Sequence, residues 1–237
     1  MRFLVFQHAA SEHPGRLADF LRADEIPFDT VALDEGARIP APDPYDVLMV
    51  LGGPMDVWEE QIHPWLVEEK AFIRDWVTAG RPFLGICLGH QLLAEAMGGR
   101  VGRMAEPEVG ICDITLTKAG IGHSLFKGAD PTFPVLQWHG AAVLEAPPGG
   151  TVLASSGLCP IQALQVGQRA VGIQYHVEVL DHTVRDWGEI PEYREALESV
   201  TGPGGQAAFE AAAASHMPSL SASAARLYAN FMADIVR

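Results

Sequence analysis

The sequence predicts an α/β protein in which an open, mostly parallel sheet is flanked by helices and extended by antiparallel strands. Up to about residue 100 of the 237, apolar runs of strand length alternate with segments whose apolar residues recur at helical spacing. Residues 47–51 are apolar at every position, which is typical of a parallel strand covered on both faces. Beyond about residue 100, short apolar segments are separated by Gly and Pro, a pattern typical of antiparallel ribbons.

The predicted elements follow in chain order. Parallel strands are expected at residues 3–7, 30–33, 47–51 and 82–86, with helices after residue 15 and at 63–80. Later strands are expected near residues 112–117, 135–138, 142–144, 152–154, 161–166 and 170–175. Further helices are predicted at 183–200 and 206–215. We predict a single domain over residues 1–237, in which 180–218 is a variable helical segment and 219–237 is a C-terminal helix.

The composition argues against several classes of protein. The formal net charge is −14 and no run of Lys or Arg is present, so a nucleic-acid partner is not expected. No apolar stretch approaches the length of a membrane span, and the apolar core of the amino terminus is too short for a signal peptide. Three cysteines without metal-like spacing fit a reducing compartment better than a disulfide framework. We therefore expect a cytoplasmic protein with no membrane partner.

A cysteine lies between two glycines in Gly85-Ile86-Cys87-Leu88-Gly89, after an apolar run and before a segment with helical spacing. This pattern predicts a strand-to-helix turn, where free N–H groups and the helix dipole favour an anion and therefore the thiolate. A turn that lifts the side chain above the sheet leaves no room for neighbouring Cβ atoms, which explains both glycines. Cys87 is therefore the predicted nucleophile, whereas Cys112 and Cys159 are expected to be structural.

Two further segments offer the groups that a cysteine nucleophile needs. Alternation along an extended strand places Gln174, His176 and Glu178 on one side, so that the carboxylate can orient the imidazole as a base. The segment Leu51-Gly52-Gly53-Pro54 ends a buried strand, and its glycines let backbone N–H groups approach a ligand closely. This second segment is a candidate oxyanion hole.

In this order and at these separations, the motifs resemble those of the class I (triad-type) glutamine amidotransferases. They are Leu51-Gly52-Gly53-Pro54, Gly85-Ile86-Cys87-Leu88-Gly89-His90-Gln91 and Gln174-Tyr175-His176-Val177-Glu178. The resemblance covers nearly the whole chain and is strongest for stand-alone members similar to the glutaminase domain of GMP synthase. The segment Trp138-His139-Gly140 and the final helix fit that group. The resemblance implies the flavodoxin-like fold of this family.

The resemblance implies a Cys87–His176–Glu178 triad that hydrolyses the side-chain amide of glutamine through a γ-glutamyl thioester, releasing glutamate and ammonia. It also implies an oxyanion hole formed by the backbone N–H groups of Gly53 and Leu88. Four further positions match residues that frame the substrate pocket of the family: Gln91, Trp138, His139 and Gly140. No cofactor and no metal are implied, and His90 is expected to be a hydrogen-bonded helix histidine.

The chain departs from the family pattern in two respects. The family usually has proline where Val177 separates the triad histidine from the glutamate, and valine is expected to loosen the loop or to admit another hydrogen bond. The chain also contains neither a synthetase domain nor a phosphate-loop motif. We therefore expect a separate acceptor or synthetase subunit to use the ammonia.

Three other interpretations stay open. A stand-alone hydrolase of γ-glutamylated amines would share the thioester and would differ only in the group that leaves. A catalytically silent regulatory module is disfavoured because the triad residues are intact. Cysteine peptidases and glyoxalase-like proteins share the sheet architecture and the nucleophile elbow, but they would not require Gly89-His90-Gln91 or a His-x-Glu motif.

Overall fold

The computed structural model describes residues 1–235. The strands are β1 (Phe3–Gln7), β2 (Phe28–Ala32), β3 (Val47–Val50), β4 (Phe83–Ile86), β5 (Arg100–Leu116), β6 (Thr132–Glu145), β7 (Thr151–Ser155), β8 (Ala163–Val166) and β9 (Ala170–Ile173). The helices are α1 (Gly15–Ala23), α2 (Trp65–Thr78), α3 (Leu88–Ala96), α4 (Lys118–Ile121), α5 (Thr183–Gly188), α6 (Pro191–Thr201) and α7 (Gly205–Ile235), with a 3-10 turn at Ser124–Phe126. The last two positions of the helix predicted at 219–237 lie outside the described residues.

These strands form one sheet in the order β2-β1-β3-β4-β9-β8-β7-β5-β6. The first five are parallel to one another, and the remaining four join through antiparallel pairs. The predicted α/β class, with a parallel core and added antiparallel strands, is confirmed. Because parallel strands end at the same edge of a sheet, the carboxyl ends of β3, β4 and β9 lie side by side.

Both faces of the inner parallel strands β1, β3, β4 and β9 are buried, which explains why their sequences are almost entirely apolar, whereas the edge strand β2 is only partly buried. In β1, Phe3 and Val5 pack into a core shared with α1 and α7. Leu4 and Phe6 point to the opposite face and pack with α2 and α3. The alternation of side chains along a strand thus feeds two apolar cores, one on each side of the sheet.

The carboxyl-terminal helices differ from the prediction at two points. A break at residues 189–190 divides the helix predicted at 183–200 into α5 and α6, whereas the separate helices predicted at 206–215 and from 219 onward are joined through Pro218 in one helix, α7. Proline removes one backbone hydrogen bond of the helix. Ala213 and Leu220, on either side of it, pack into the same apolar cluster as Trp138, and this packing keeps both halves in one helix. Among residues 1–235, no helix combines the length and apolar character needed to cross a membrane.

The antiparallel extension is longer than the sequence predicts. β5 begins at Arg100 although its first half contains Pro107 and little apolar alternation, and β6 is continuous where two short strands are expected. The two strands pair with each other, with a register shift between Arg103 and Glu108. The ribbon therefore depends on the hydrogen bonds between β5 and β6 more than on an apolar pattern within β5.

The segment after β9 is irregular, contrary to the strand predicted through residues 174–178. β9 ends at Ile173, and His176 forms only an isolated antiparallel bridge with Leu136 of β6. The N–H of His176 donates to the carbonyl oxygen of Leu136 at 3.0 Å. This contact with β6, and not strand alternation, sets the direction of the segment.

We predict that Gly89→Ala destabilises the fold strongly. A Cβ at this position would lie 2.1 Å from the carbonyl oxygen of Val50, so α3 would have to move away from β3. We expect the free energy of unfolding, measured by urea titration, to fall by about 3 kcal/mol. Gly157→Ala is the matched control, because a Cβ there meets no atom within 4 Å, and it should change stability by less than about 0.5 kcal/mol. Equal effects of the two substitutions would contradict this account of the packing.

Candidate active site

Cys87 lies between β4 and α3 in a backbone conformation that side chains rarely adopt, with φ 50° and ψ −104°. The strain of such a residue, roughly 1–3 kcal/mol, persists only where the surrounding structure enforces it. Here a Cβ at Gly85 would lie 2.4 Å from the carbonyl oxygen of Gly89, so the turn is packed too tightly for larger residues. The structure thus has the predicted strand-to-helix turn, with the thiol at the start of α3.

The imidazole of His176 lies between Cys87 and Glu178, and all three residues are buried. Its Nδ1 is 2.7 Å from Oε1 of Glu178, and Nε2 of Gln174 donates to Sγ of Cys87 at 3.5 Å. Burial lowers the pKa of His176, but the charge of Glu178 and the neighbouring Cys87 outweigh burial and hold the pKa well above its usual value. The three side chains therefore favour a protonated imidazole next to the sulfur.

Val177 adds a hydrogen bond that proline cannot make. Its backbone N–H donates to Oε2 of Glu178 at 2.9 Å, while Oε1 of the same carboxylate faces His176. Of the two consequences expected for a valine here, the structure has the additional hydrogen bond. The carboxylate is consequently held by one contact on each oxygen.

An open cavity of about 150 Å³ lies next to Cys87. Its lining includes all six residues predicted to bind substrate: Gly53, Leu88, Gln91, Trp138, His139 and Gly140. In the part of the chain that the structure describes, neither the N–H of Gly53 nor that of Leu88 donates to a protein acceptor. Two such donors beside a nucleophile are what an oxyanion hole requires.

The polar side chains of the cavity wall are held by other protein groups. The amide of Gln91 donates to the carbonyl oxygen of Ala141 at 3.0 Å and to Oε1 of Gln174 at 3.1 Å. The ring of His139 lies between the same carbonyl oxygen, at 2.9 Å, and Oε2 of Glu108, at 3.0 Å. A wall fixed in this way keeps its shape without a ligand.

The amino-acid sequence matches the model of a known protein family. The model for the class-I glutamine amidotransferases matches residues 17–186, which is more than half of the chain. The chain belongs to the class I glutamine amidotransferase family. The predicted family and enzyme class, an amidohydrolase acting on a C–N amide bond, are confirmed at this level.

Two relatives illustrate the range of similarity. The glutamine amidotransferase-like protein YfeJ of Salmonella typhimurium is 39% identical over 170 residues, which cover 69% of this chain and 68% of YfeJ. The glutamine-hydrolysing GMP synthase of Aeropyrum pernix is 38% identical over 132 residues, which cover 56% of this chain and 24% of that protein. This amidotransferase chain thus spans about a quarter of the GMP synthase that it matches.

Solved structures agree with the fold. A glutamine amidotransferase from Thermotoga maritima superimposes with a TM-score of 0.86 at 28% sequence identity, and the match covers 98% of this chain and 97% of that one. The amidotransferase fold, including the antiparallel extension and α5–α7, is therefore shared over almost the full length of both chains.

A second carboxyl group, Glu12, lies beside the His176–Glu178 pair of this amidotransferase, and the sequence patterns did not single it out. It is fully buried, its Oε1 hydrogen-bonds the hydroxyl of Tyr193, and its Oε2 has no partner among the described residues. Burial is the main cause that raises the pKa of Glu12 to about 7, with the charge of Glu178 acting in the same direction and that of His176 opposing it. Only the folding of α6 against the loop before α1 reveals this contact.

Within residues 1–235, two groups of buried side chains have potential metal-ligating atoms within 4.8 Å of one another: Glu12, His176 and Glu178, and Glu108, His139 and Cys159. In the first group, His176 and Glu178 are engaged with each other. In the second, Glu108 accepts hydrogen bonds from Gln162 and Ser156, and burial raises the pKa of the Cys159 thiol to about 12, which disfavours a ligating thiolate. In both groups, the side chains are engaged in hydrogen bonds with other protein groups.

The other residues considered in the sequence are packing groups. Burial lowers the pKa of His90 to about 4, and its neutral ring hydrogen-bonds the carbonyl oxygen of Ile161 at 3.2 Å, as expected of a helix histidine. Burial also raises the pKa of Cys112, which lies in β5. The environments of Cys112 and Cys159 therefore favour the neutral thiol and agree with a structural role.

We predict that Glu12→Gln alters the pH dependence of stability. Because the pKa of Glu12 is raised from 4.5 to about 7 by folding, its contribution to stability is fully present below pH 4.5 and is lost as the pH rises through about 7. Glutamine does not titrate. The free energy of unfolding of the variant minus that of the native protein should therefore rise by roughly 3 kcal/mol over this interval and stay constant above it.

Urea unfolding at a series of pH values measures this difference. Glu35→Gln, which replaces an exposed carboxylate, is the control for removal of one charge. Parallel stability curves for the native protein and Glu12→Gln would show that the carboxyl group is ionised in the folded state over the whole interval.

Proposed function

We propose that this protein hydrolyses the side-chain amide of glutamine through a γ-glutamyl thioester on Cys87 and releases glutamate and ammonia. The observation that carries the proposal is a cavity in which Cys87, next to the His176–Glu178 pair, adjoins two unengaged backbone N–H groups. Membership of the class I glutamine amidotransferase family supports glutamine as the substrate.

In the first half-reaction the Cys87 thiolate attacks the amide carbon, and the carbonyl electron pair moves to an oxyanion stabilised by the N–H groups of Gly53 and Leu88. Protonated His176 gives its Nε2 proton to the amide nitrogen, the C–N bond breaks and ammonia leaves. Glu178 accepts the hydrogen bond from Nδ1 and so keeps the ring in position. A thioester and a neutral imidazole remain.

In the second half-reaction a water molecule attacks the thioester carbon while His176 accepts one of its protons. The second tetrahedral intermediate uses the same two N–H donors. It collapses by breaking the C–S bond, so that glutamate leaves and the thiolate returns beside the protonated imidazole. The cycle needs no oxidant, metal or cofactor to balance.

The remaining lining residues would hold the amino-acid end of glutamine. Gln91 and the backbone of residues 138–140 face the cavity, and their fixed positions suit a small, polar ligand. The ammonia would pass to a separate acceptor or synthetase subunit, and the similarity to part of a glutamine-hydrolysing GMP synthase supports this arrangement. The identity of that acceptor is a separate question from the hydrolysis itself.

We predict that Cys87→Ala abolishes release of glutamate and ammonia from glutamine, because no thioester can form. We expect a loss of about 10⁵-fold or more in kcat. Glu178→Gln should retain partial activity, with kcat lower by roughly 10²- to 10⁴-fold, since the orientation of His176 is weakened while the nucleophile remains. Coupled assays of both products measure the two rates.

Cys112→Ala is the matched control for Cys87→Ala, because Cys112 lies on the β5 ribbon and does not line the cavity. It should keep native kcat and KM. Undiminished turnover in Cys87→Ala, with both products formed at the native rate, would refute the proposed mechanism.

A second candidate substrate class, γ-glutamylated amines, is favoured by the charge of the cavity. Asp56 and Glu192 line it, and its described lining contains no Lys or Arg. Arg103 pairs with Asp56 at 3.4 Å, whereas no ion pair involving Glu192 is found among the described residues. A leaving amine with a second, protonated amino group would be attracted to such a carboxylate.

We predict that the γ-glutamyl amide of 1,4-diaminobutane is hydrolysed with a higher kcat/KM than γ-glutamyl ethylamide, by about fivefold, because only the former carries a positive charge on its leaving group. Glu192→Gln should remove this preference and leave the value for the ethylamide unchanged. Glutamine is measured in parallel. Equal rates for the two amides in the native protein would contradict this second candidate.

A further inference from the structure

A buried imidazole–carboxylate pair lies directly behind the Gly52-Gly53 segment. His8 follows the last residue of β1, and its side chain is completely buried together with that of Glu69 from α2. Nε2 of His8 is 3.0 Å from Oε1 of Glu69, and Nδ1 is 2.8 Å from the carbonyl oxygen of Gly52. The ring also stacks on Trp65, with centroids 5.4 Å apart and planes 13° from parallel.

The direction of the hydrogen bond to Gly52 follows from its chemistry. A carbonyl oxygen can only accept, so Nδ1 of His8 must carry a proton and donate it. Nε2 faces a carboxylate, which likewise favours a proton there. Burial lowers the pKa of His8, but the charge of Glu69 and the hydrogen bonds to Glu69 and Gly52 outweigh burial and raise it. The nearby Glu12 acts in the same direction.

The same hydrogen bond determines where the next N–H group points. The peptide between Gly52 and Gly53 is trans, so its C=O and N–H groups point in opposite directions from one rigid plane. With the carbonyl oxygen held by His8 on one side, the N–H of Gly53 is directed to the other side. Gly53 lines the cavity beside Cys87.

The side chains of His8 and Leu88 leave no space for a side chain at Gly53. A Cβ at Gly53 would lie 2.8 Å from Cβ of His8 and 2.9 Å from Cδ2 of Leu88. The segment is therefore confined between the histidine and the first turn of α3. Neither face leaves room for a side chain at position 53.

We propose that His8, held by Glu69 and Trp65, is a positioning residue that aims and polarises the Gly53 N–H group of the oxyanion hole. The inference rests on the proposed hydrolysis, because only that reaction needs an oxyanion at this place. A protonated donor on the carbonyl oxygen withdraws electrons from the peptide and makes its N–H group a stronger hydrogen-bond donor. His8 thus acts on the reaction through the backbone and touches no substrate.

Three variants test this role. His8→Leu removes the donor to Gly52, and Glu69→Gln keeps the size of its partner but removes the charge. His63→Leu is the matched control, because His63 also contacts the ring of Trp65, at 5.5 Å between centroids, but has no hydrogen bond to Gly52. Urea unfolding identifies any variant that does not fold.

Three measurements separate the oxyanion hole from the rest of the site. The first is kcat and KM for glutamine. The second is the affinity for the aldehyde analogue of glutamine, L-glutamate γ-semialdehyde, whose adduct with Cys87 places an oxygen between Gly53 and Leu88. The third is the rate of Cys87 alkylation by iodoacetamide, which requires the thiolate but builds no oxyanion.

We expect His8→Leu to lower kcat and aldehyde affinity in parallel, by about 10- to 100-fold, because one oxyanion donor is misaligned but not removed. KM and the alkylation rate should stay near native values. Glu69→Gln should show a smaller parallel loss, about threefold to tenfold, and His63→Leu should show none. If His8→Leu does not fold, the parallel loss in Glu69→Gln decides the question.

The proposal is overturned if folded His8→Leu, or Glu69→Gln in its place, keeps native kcat and aldehyde affinity. It is also overturned if the alkylation rate falls by the same factor as kcat, since His8 would then act on the thiolate. Failure of the proposed hydrolysis is distinguishable, because it appears in the native protein as absence of glutamate release. Aldehyde affinity, measured independently of turnover, still tests His8 in that case.

Discussion

The contact between the first turn of α3 and the end of β3 is the constraint on which the site depends. The N–H of Gly89 donates to the carbonyl oxygen of Leu51 at 3.1 Å, and the two elements approach so closely that only glycine fits at position 89. This contact brings Cys87 and the N–H of Leu88 against the Gly52-Gly53 segment. The position of the Cys87 sulfur relative to the two proposed oxyanion donors therefore depends on one interface between neighbouring parallel strands.

Several ionisable side chains are buried around this contact: His8, Glu12, Glu69, His176 and Glu178. Burying a charge is costly unless a partner of opposite charge and hydrogen bonds compensate for it. Two imidazole–carboxylate pairs provide this compensation, one behind the proposed oxyanion hole and one beside the thiol. Glu12 lacks such a pair, and burial accordingly raises its pKa to about 7. The charge state of each buried group therefore depends on its partners as much as on its residue type.

The sequence predicted part of this arrangement for the right reason and part for the wrong one. The turn at Cys87 was predictable because a strand, two glycines and a helix are consecutive in the chain. The proximity of His176 and Glu178 was inferred from strand alternation, yet β9 ends at Ile173 and the segment beyond it is irregular. Their hydrogen bond depends instead on the bridge to β6 and on the N–H of Val177.

By itself, the sequence determined the family, the α/β class and the strand-to-helix turn at Cys87, because motif order and short-range periodicity are properties of neighbouring residues. Only the tertiary structure decided that Glu12 meets Tyr193, and that His8 lies between Glu69 and Gly52. These partners are distant in the chain, and their protonation depends on the burial and charges that folding creates. A single histidine or glutamate forms no sequence pattern from which its burial and its partners could be predicted.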